Sequence, residues 1–211
     1  MSQQILESLA NSLVDLDLDS AKRGVQQALE ASISPQDIIG NGLARGMELV
    51  GKRFEDGEYF LAELISAGAI MEETVALLEP HLEAGAVTSS GVVVAGTVQG
   101  DLHDVGKNIL VSMLKSAGFK VVDLGVDVPP ERFVEKAKET KADIVCLSAL
   151  LSVVVPKLEE TVKLLRQEVP SARIMVGGRC IDEKIAQRIG AVYAKDAWAG
   201  AKSSIDLMKL E

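Results

Sequence analysis

The spacing of apolar residues changes character once along this chain. Through residue 83 they recur at helical intervals, with no strand signal. Ile5, Leu9, Leu13 and Leu16 mark a first helix, and Asp19 or Ser20 can cap a second that runs to about Ala31. Ser34-Pro35-Gln36-Asp37 places a cap serine, a proline at the first helical position and an acid three residues after the serine. It predicts a third helix through Ile39, Leu43, Met47, Val50 and Phe54. Residues 55–58 turn the chain, and a fourth helix carries Leu61, Leu64, Ile65, Met71, Val75 and Leu78 before Pro80. This is the pattern of a small four-helix bundle over residues 1–83. A stretch rich in Gly, Ser, Ala and Pro follows, with the linker at 84–90; His81 beside it is expected to be solvated, with no ligand role.

From residue 91 short apolar runs alternate with helical patterns. Strands are predicted at 91–97, 119–124, 144–147, 173–176 and 191–194, and helices from Asp104, over 130–140, 156–168 and 182–189, and from there to near Leu210. On the first of these helices Val105, Ile109, Leu110, Met113 and Leu114 share one side. Buried strands alternating with helices imply a parallel sheet covered on both faces. The fold class is α + α/β: a helical bundle followed, over 91–211, by a Rossmann-like (flavodoxin-like) doubly wound five-stranded sheet. The expected strand order is 2-1-3-4-5, with ligands at the carboxyl edge near the switch between strands 1 and 3.

The stretch with the most chemistry sits at that edge. In Thr97-Val98-Gln99-Gly100-Asp101-Leu102-His103-Asp104-Val105-Gly106-Lys107-Asn108, Asp101 and His103 occupy the loop between a strand and a helix. Imidazole is the commonest nitrogen ligand of transition metals, and a carboxylate on its second nitrogen fixes the tautomer and raises its basicity. Asp101 is close enough in sequence to serve His103 in this way. Gly106 allows a bulky group near the backbone. One histidine is too few for zinc, which takes three or four protein ligands, but suits a metal already held by a macrocycle. In isolation the pattern D-x-H-x-x-G is equally an ordinary loop histidine and a turn glycine. The loops leaving strands 3, 4 and 5 should join the same edge. They contribute Ser148 to Ser152 with Leu150 among them, then Gly177 and Gly178, then Ala194 to Asp196. Small and hydroxyl-bearing residues there leave room for a ligand and offer it hydrogen bonds.

Composition narrows the classes. Aromatics make up only 3% against 47% hydrophobic residues, so the core is aliphatic. A net charge of −9 argues against nucleic acid as a partner. No apolar run is long enough to cross a bilayer, and the N-terminus lacks the basic start of a signal peptide. Two cysteines, Cys146 and Cys180, read as reduced thiols in a cytoplasmic protein, Cys146 in a strand and Cys180 after the glycine pair.

Residues 101–108 resemble the D-x-H-x-x-G signature of cobalamin-binding domains, and the likeness extends over nearly the whole chain. It is greatest to the small corrinoid proteins of methyltransferase systems. The resemblance implies that His103 is the lower axial ligand of cobalt, with Asp101, Leu102, Asp104, Val105 and Gly106 around the cofactor (methylcobalamin or a related corrinoid). It implies that Ser148, Leu150, Ser152, Gly177, Gly178, Ala194 and Asp196 line the slot for its nucleotide tail. Residues 50–61 resemble the helical cap of methylcobalamin-binding proteins, in which Phe54 and Leu61 would cover the methyl-bearing face and exclude water. The helical region would move about the linker to admit partners.

By the same resemblance, a substrate-specific methyltransferase delivers methyl from an O-, N- or S-methyl donor to cobalt(I). A second methyltransferase passes it to tetrahydrofolate or coenzyme M, and a reductive activase maintains the cofactor. The chain would be a carrier subunit, not catalytic alone. A cobalamin-dependent sensor and an adenosylcobalamin isomerase subunit are the alternatives. Three residues depart from the family pattern: Ala62 where proline is common, Ser152 where threonine is common, and Val154 where some members place a hydroxyl that extends the His–Asp relay. Valine cannot bond Asp101 through its side chain, so another group or water must satisfy that carboxylate.

Overall fold

The computed structural model describes residues 2–81 and 90–208. The chain divides into two compact units, Met1–Thr88 and Ser89–Glu211. Residues 84–89 of the expected linker lie outside the described residues.

The first unit is helical. Helix α1 (Ser2–Val14) buries Leu9 and Leu13, and α2 (Leu18–Glu30) starts where the Asp17 carboxylate accepts from the Ser20 N–H. The Ser34 hydroxyl accepts from the Asp37 N–H, capping α3 (Pro35–Asp37). The expected third helix is continuous but not uniform. Between α3 and α4 (Arg45–Glu55) lies a π-helical segment, Ile38–Ala44. Its sequence, Ile-Ile-Gly-Asn-Gly-Leu-Ala, contains two glycines. A Cβ on Gly42 would stand 2.8 Å from a Leu9 methyl, and one on Gly46 2.8 Å from the Ala10 carbonyl oxygen. The wider turn thus lies beside tight packing of these glycines against α1, which apolar spacing cannot reveal.

Helix α5 (Leu61–Leu78) begins with the Glu63 carboxylate accepting from the Phe60 N–H at 2.8 Å. This bond holds the helix start without a proline at Ala62. Leu9, Leu13, Val25, Ile38, Leu43, Met71 and Leu78 belong to one core. His81 is exposed at the end of a short 3₁₀ turn, Glu79–His81.

The second unit holds a parallel five-stranded sheet in the order 2-1-3-4-5, as expected. Its strands are β1 (Val92–Thr97), β2 (Lys120–Asp123), β3 (Ile144–Ser148), β4 (Arg173–Gly177) and β5 (Val192–Ala194). Its helices are α6 (Val105–Ser116), α7 (Pro130–Thr140), α8 (Val155–Glu168), α9 (Glu183–Ile189) and α10 (Ala197–Met208). Val94, Phe133, Leu147, Leu158, Leu165 and Val176 meet in the core under α7 and α8, and α6 packs with α10. Each fully buried side chain of this size contributes about 1.5–3 kcal/mol. Thr97, Ser148, Gly177 and Ala194 are register partners across β1, β3, β4 and β5. Four strands therefore end in one row, and their exit loops emerge side by side. Along α6 burial is uneven: Val105 is 72% exposed, while Met113 and Leu114 are buried. The first turn of α6 projects from the sheet edge, beyond the core its later turns cover. No helix among the described residues is long and apolar enough to cross a membrane.

Candidate functional site

The turn between β1 and α6 is built around one carboxylate. Asp101 is fully buried. Its Oδ1 accepts from the His103 N–H at 3.0 Å and lies 2.7 Å from His103 Nδ1. Its Oδ2 accepts from the N–H groups of Leu150 and Leu151, at 2.6 and 3.2 Å, in the loop after β3. Burial pushes the Asp101 pKa up, but the bonds from Leu150, His103 and Leu151 outweigh it and bring it down to about 2. The carboxylate is ionised at neutral pH and can only accept. Hydrogen bonding therefore assigns the proton to Nδ1 of His103 and leaves Nε2 as its lone-pair nitrogen. The imidazole itself is 52% exposed. A buried anion thus orients a solvent-facing nitrogen donor.

This answers the question raised by Val154. The second oxygen of Asp101 is satisfied by two backbone amides of the β3 loop, with no side-chain hydroxyl. Val154 is buried in the core, with a methyl 3.3 Å from where a Cβ on Gly100 would stand.

The other expected site residues occupy the same edge with different engagements. Leu102 and Val105 are exposed apolar residues flanking His103, and Leu150 is partly exposed. Gly106 is exposed, and nothing lies within 4 Å of where its Cβ would be. The Asp104 carboxylate accepts from the Asn108 side chain at 3.0 Å. The Ser148 carbonyl accepts from the Val98 N–H at 3.0 Å, and Ser152 opens a 3₁₀ turn, Ser152–Val154.

Gly178 has φ +120, and a Cβ there would stand 1.9 Å from the Ala149 carbonyl oxygen. A Cβ on Gly177 would stand 2.9 Å from the Ala194 carbonyl oxygen. Both glycines permit close packing of neighbouring exit loops. Asp196 caps α10, its carboxylate accepting from the Ala199 N–H at 2.7 Å. Phe54 is half-buried and Leu61 is exposed at the α4–α5 corner of the helical unit. Cys146 is buried, which pushes its thiol up to about 12, and Cys180 donates to the Ala149 carbonyl at 3.3 Å.

Several contributors were not apparent from sequence. The exposed apolar edge includes Leu151 and Val153. The Thr97 hydroxyl, at the end of β1, donates to the His103 carbonyl at 3.1 Å. Lys107, 4% exposed, meets both oxygens of Asp123 at 2.6 Å and the Asn108 side-chain oxygen at 2.7 Å. Asp127, after β2, bonds the motif turn. The available signal was topological: every strand of a parallel sheet exits at one edge, so the β2 loop belongs there too.

Among the described residues no group of three or more His, Cys, Asp or Glu could hold a metal. The donor set is one oriented imidazole beside small and apolar residues. It fits a metal whose other positions a macrocycle fills.

Comparison with known proteins gives the family. Residues 91–200 match a B12 binding domain model, and residues 5–79 match a second model, also described as a B12 binding domain. The chain is 41% identical over 209 residues to dimethylamine corrinoid protein 3 of Methanosarcina acetivorans, covering 96% of this chain and 98% of that one. The chain belongs to the corrinoid proteins of methyltransferase systems. Trimethylamine corrinoid protein 2 of the same organism is 39% identical, with 92% of each chain covered. This corrinoid protein also resembles two solved structures. A cobalamin-binding protein from Desulfitobacterium hafniense has a TM-score of 0.83 at 35% identity, covering 96% of this chain and 98% of that one. The methanol:cobalamin methyltransferase complex from Methanosarcina barkeri gives 0.84 at 26% identity, covering 98% of this chain and 80% of the other.

Proposed function

We propose that this corrinoid protein carries a methyl group between two methyltransferases, with His103 as the protein's ligand to the cobalt of a cobalamin-type cofactor. The observation that carries the reading is the buried, ionised Asp101 holding Nδ1 of an exposed imidazole. The bound cofactor supplies a cobalt centre that can accept and release a methyl group. The protein's own part is to hold, orient and shield it. His103 offers Nε2, and Asp101 keeps the proton on Nδ1 and strengthens the donor. Leu102, Asp104, Val105, Gly106 and Leu150 are the proposed surroundings of the macrocycle. Ser148, Ser152, Gly177, Gly178, Ala194 and Asp196 are the proposed lining for the nucleotide tail, Asp196 through its backbone because its carboxylate caps α10. Phe54 and Leu61 are proposed contacts to the methyl-bearing face. If so, Leu61→Ala should speed photolysis of bound methylcobalamin, and an unchanged rate would count against that contact.

One partner is a substrate-specific methyltransferase, and the relatives' names favour a methylamine as the donor. The acceptor-side methyltransferase, acting on tetrahydrofolate or coenzyme M, and the reductive activase complete the proposed cycle, which we place in the cytoplasm. The relatives carry corrinoid-protein names, which favours the carrier over the sensor.

Anaerobic reconstitution with methylcobalamin tests the reading. The wild type should retain the cofactor with a histidine-ligated absorption spectrum, and His103→Ala should give a base-off spectrum. A wild type that retains no corrinoid would overturn the proposal. Retention with an unchanged His103→Ala spectrum would remove His103 as the ligand.

A further inference from the structure

We infer that Asp127 is a positioning residue for the Asp101–His103 pair, an inference that rests on the cofactor role proposed for that pair. The loop leaving β2 runs along the end of β1 and is tied to it rung by rung. Leu124 N–H donates to the Ala95 carbonyl at 2.8 Å, Thr97 N–H to Gly125 at 3.0 Å, and Val128 N–H to Thr97 at 3.0 Å. Val98 and Val128 form a further parallel bridge. This ladder delivers Asp127 to the turn that precedes His103.

Asp127 holds the turn at two points. Its Oδ1 accepts from the Gly100 N–H at 2.7 Å, and its own N–H donates to the Asp101 carbonyl at 3.0 Å. To do so it adopts φ +53, and the facing Gly100 has φ +88. Aspartate and asparagine tolerate the left-handed region better than other non-glycine residues. Glycine would adopt it more easily but could not supply the acceptor. The bond to Gly100 is charge-assisted, and stronger than one to a neutral acceptor.

The consequence falls on His103. Oδ2 of Asp101 is anchored to the β3 loop through Leu150 and Leu151. The direction of Oδ1 then depends on where the Asp101 backbone sits. Val98 sets that position through the Asp101 N–H, at 3.1 Å, and Asp127 sets it from the other side. Without the Asp127 carboxylate the turn at Gly100 loses a restraint, and the 2.7 Å contact to Nδ1 loosens.

Two variants test this. Asp127→Gly keeps the left-handed backbone and removes the acceptor. Asp127→Asn keeps both the conformation and an oxygen acceptor. Each is loaded anaerobically with methylcobalamin, and its histidine-on to base-off ratio is read from the absorption spectrum at one pH. Asp127→Gly should lower that ratio roughly threefold or more, as losing one hydrogen bond allows, and Asp127→Asn should restore it.

In the apo proteins, nitrogen-15 NMR of His103 should show the Nδ1–H tautomer in wild type and a mixture in Asp127→Gly. Wild-type ratio and tautomer in Asp127→Gly would overturn the role of Asp127. So would equal losses in the glycine and asparagine variants. A wild type that binds no corrinoid would instead defeat the cofactor reading, while the apo tautomer would still decide the role of Asp127.

Discussion

Oδ1 of Asp101 bonds both the backbone N–H and the Nδ1 of His103, while Oδ2 of the same carboxylate bonds Leu150 and Leu151. One buried group thus ties the His103 turn to the neighbouring strand's loop and sets the tautomer of the imidazole. Only an acceptor on both oxygens can do this. In Asp101→Asn one oxygen becomes an NH₂, which must face donors on one side or the other. We expect a stability loss of about 1–3 kcal/mol and a shift of bound methylcobalamin toward the base-off spectrum. Urea unfolding and absorption spectroscopy check the two effects separately.

The same carboxylate makes stability depend on acid. Its pKa is about 2 in the folded protein against an ordinary value of 3.8. A depressed carboxylate stabilises the fold fully above the ordinary value, and the contribution is lost as pH falls through the folded one. It is worth about 2 kcal/mol at neutral pH. Between about pH 4 and 2 the wild type should lose this stability, while Asp101→Asn lacks that component. Urea midpoints of both proteins across that range give the difference; parallel curves would contradict the depressed value.

Gly178 is irreplaceable for a steric reason. Its φ is +120, and a Cβ would stand 1.9 Å from the Ala149 carbonyl oxygen. The obstacle is backbone, and Ala149 follows β3 immediately. Gly178→Ala should destabilise the second unit by about 3 kcal/mol or more, whereas Gly106→Ala, with open space around it, should cost little. Thermal unfolding of the two variants ranks them.

Lys107 presents a different cost. It is nearly buried and paired with Asp123, which is one-third exposed. Among the described residues, removing Asp123 leaves the ammonium with only the Asn108 oxygen. Asp123→Ala should cost about 2 kcal/mol or more, against at most about 1 kcal/mol for an exposed pair such as Arg45–Glu48. Lys107→Met with Asp123→Ala should recover part of the loss. A double-mutant cycle by chemical denaturation measures it.

The order of elements was legible because burial repeats locally. Period-3.6 spacing marked the helices before residue 83, and unbroken apolar runs marked β1, β3 and β4. Alternation of the two, with the rule that parallel sheets bind ligands at their carboxyl edge, pointed to the Asp101–His103 loop. Apolar spacing gave no sign of the π-helical Ile38–Ala44 segment, because a wider turn leaves the same residues apolar. Nor does it give the burial of Val105: an apolar residue on a helix face is buried only where another layer reaches it.

The sequence by itself determined the helical and α/β regions, the strand order and the two side chains at the centre of the site. The tertiary structure alone decided how Asp101 is satisfied, because Leu150 and Leu151 act through backbone N–H groups that every non-proline residue carries. It also decided the roles of Asp127 and the Lys107–Asp123 pair, which depend on how far one exit loop reaches toward the next. Side-chain chemistry and periodicity are written along the chain. Lateral hydrogen bonds between loops exist only once the strands lie side by side.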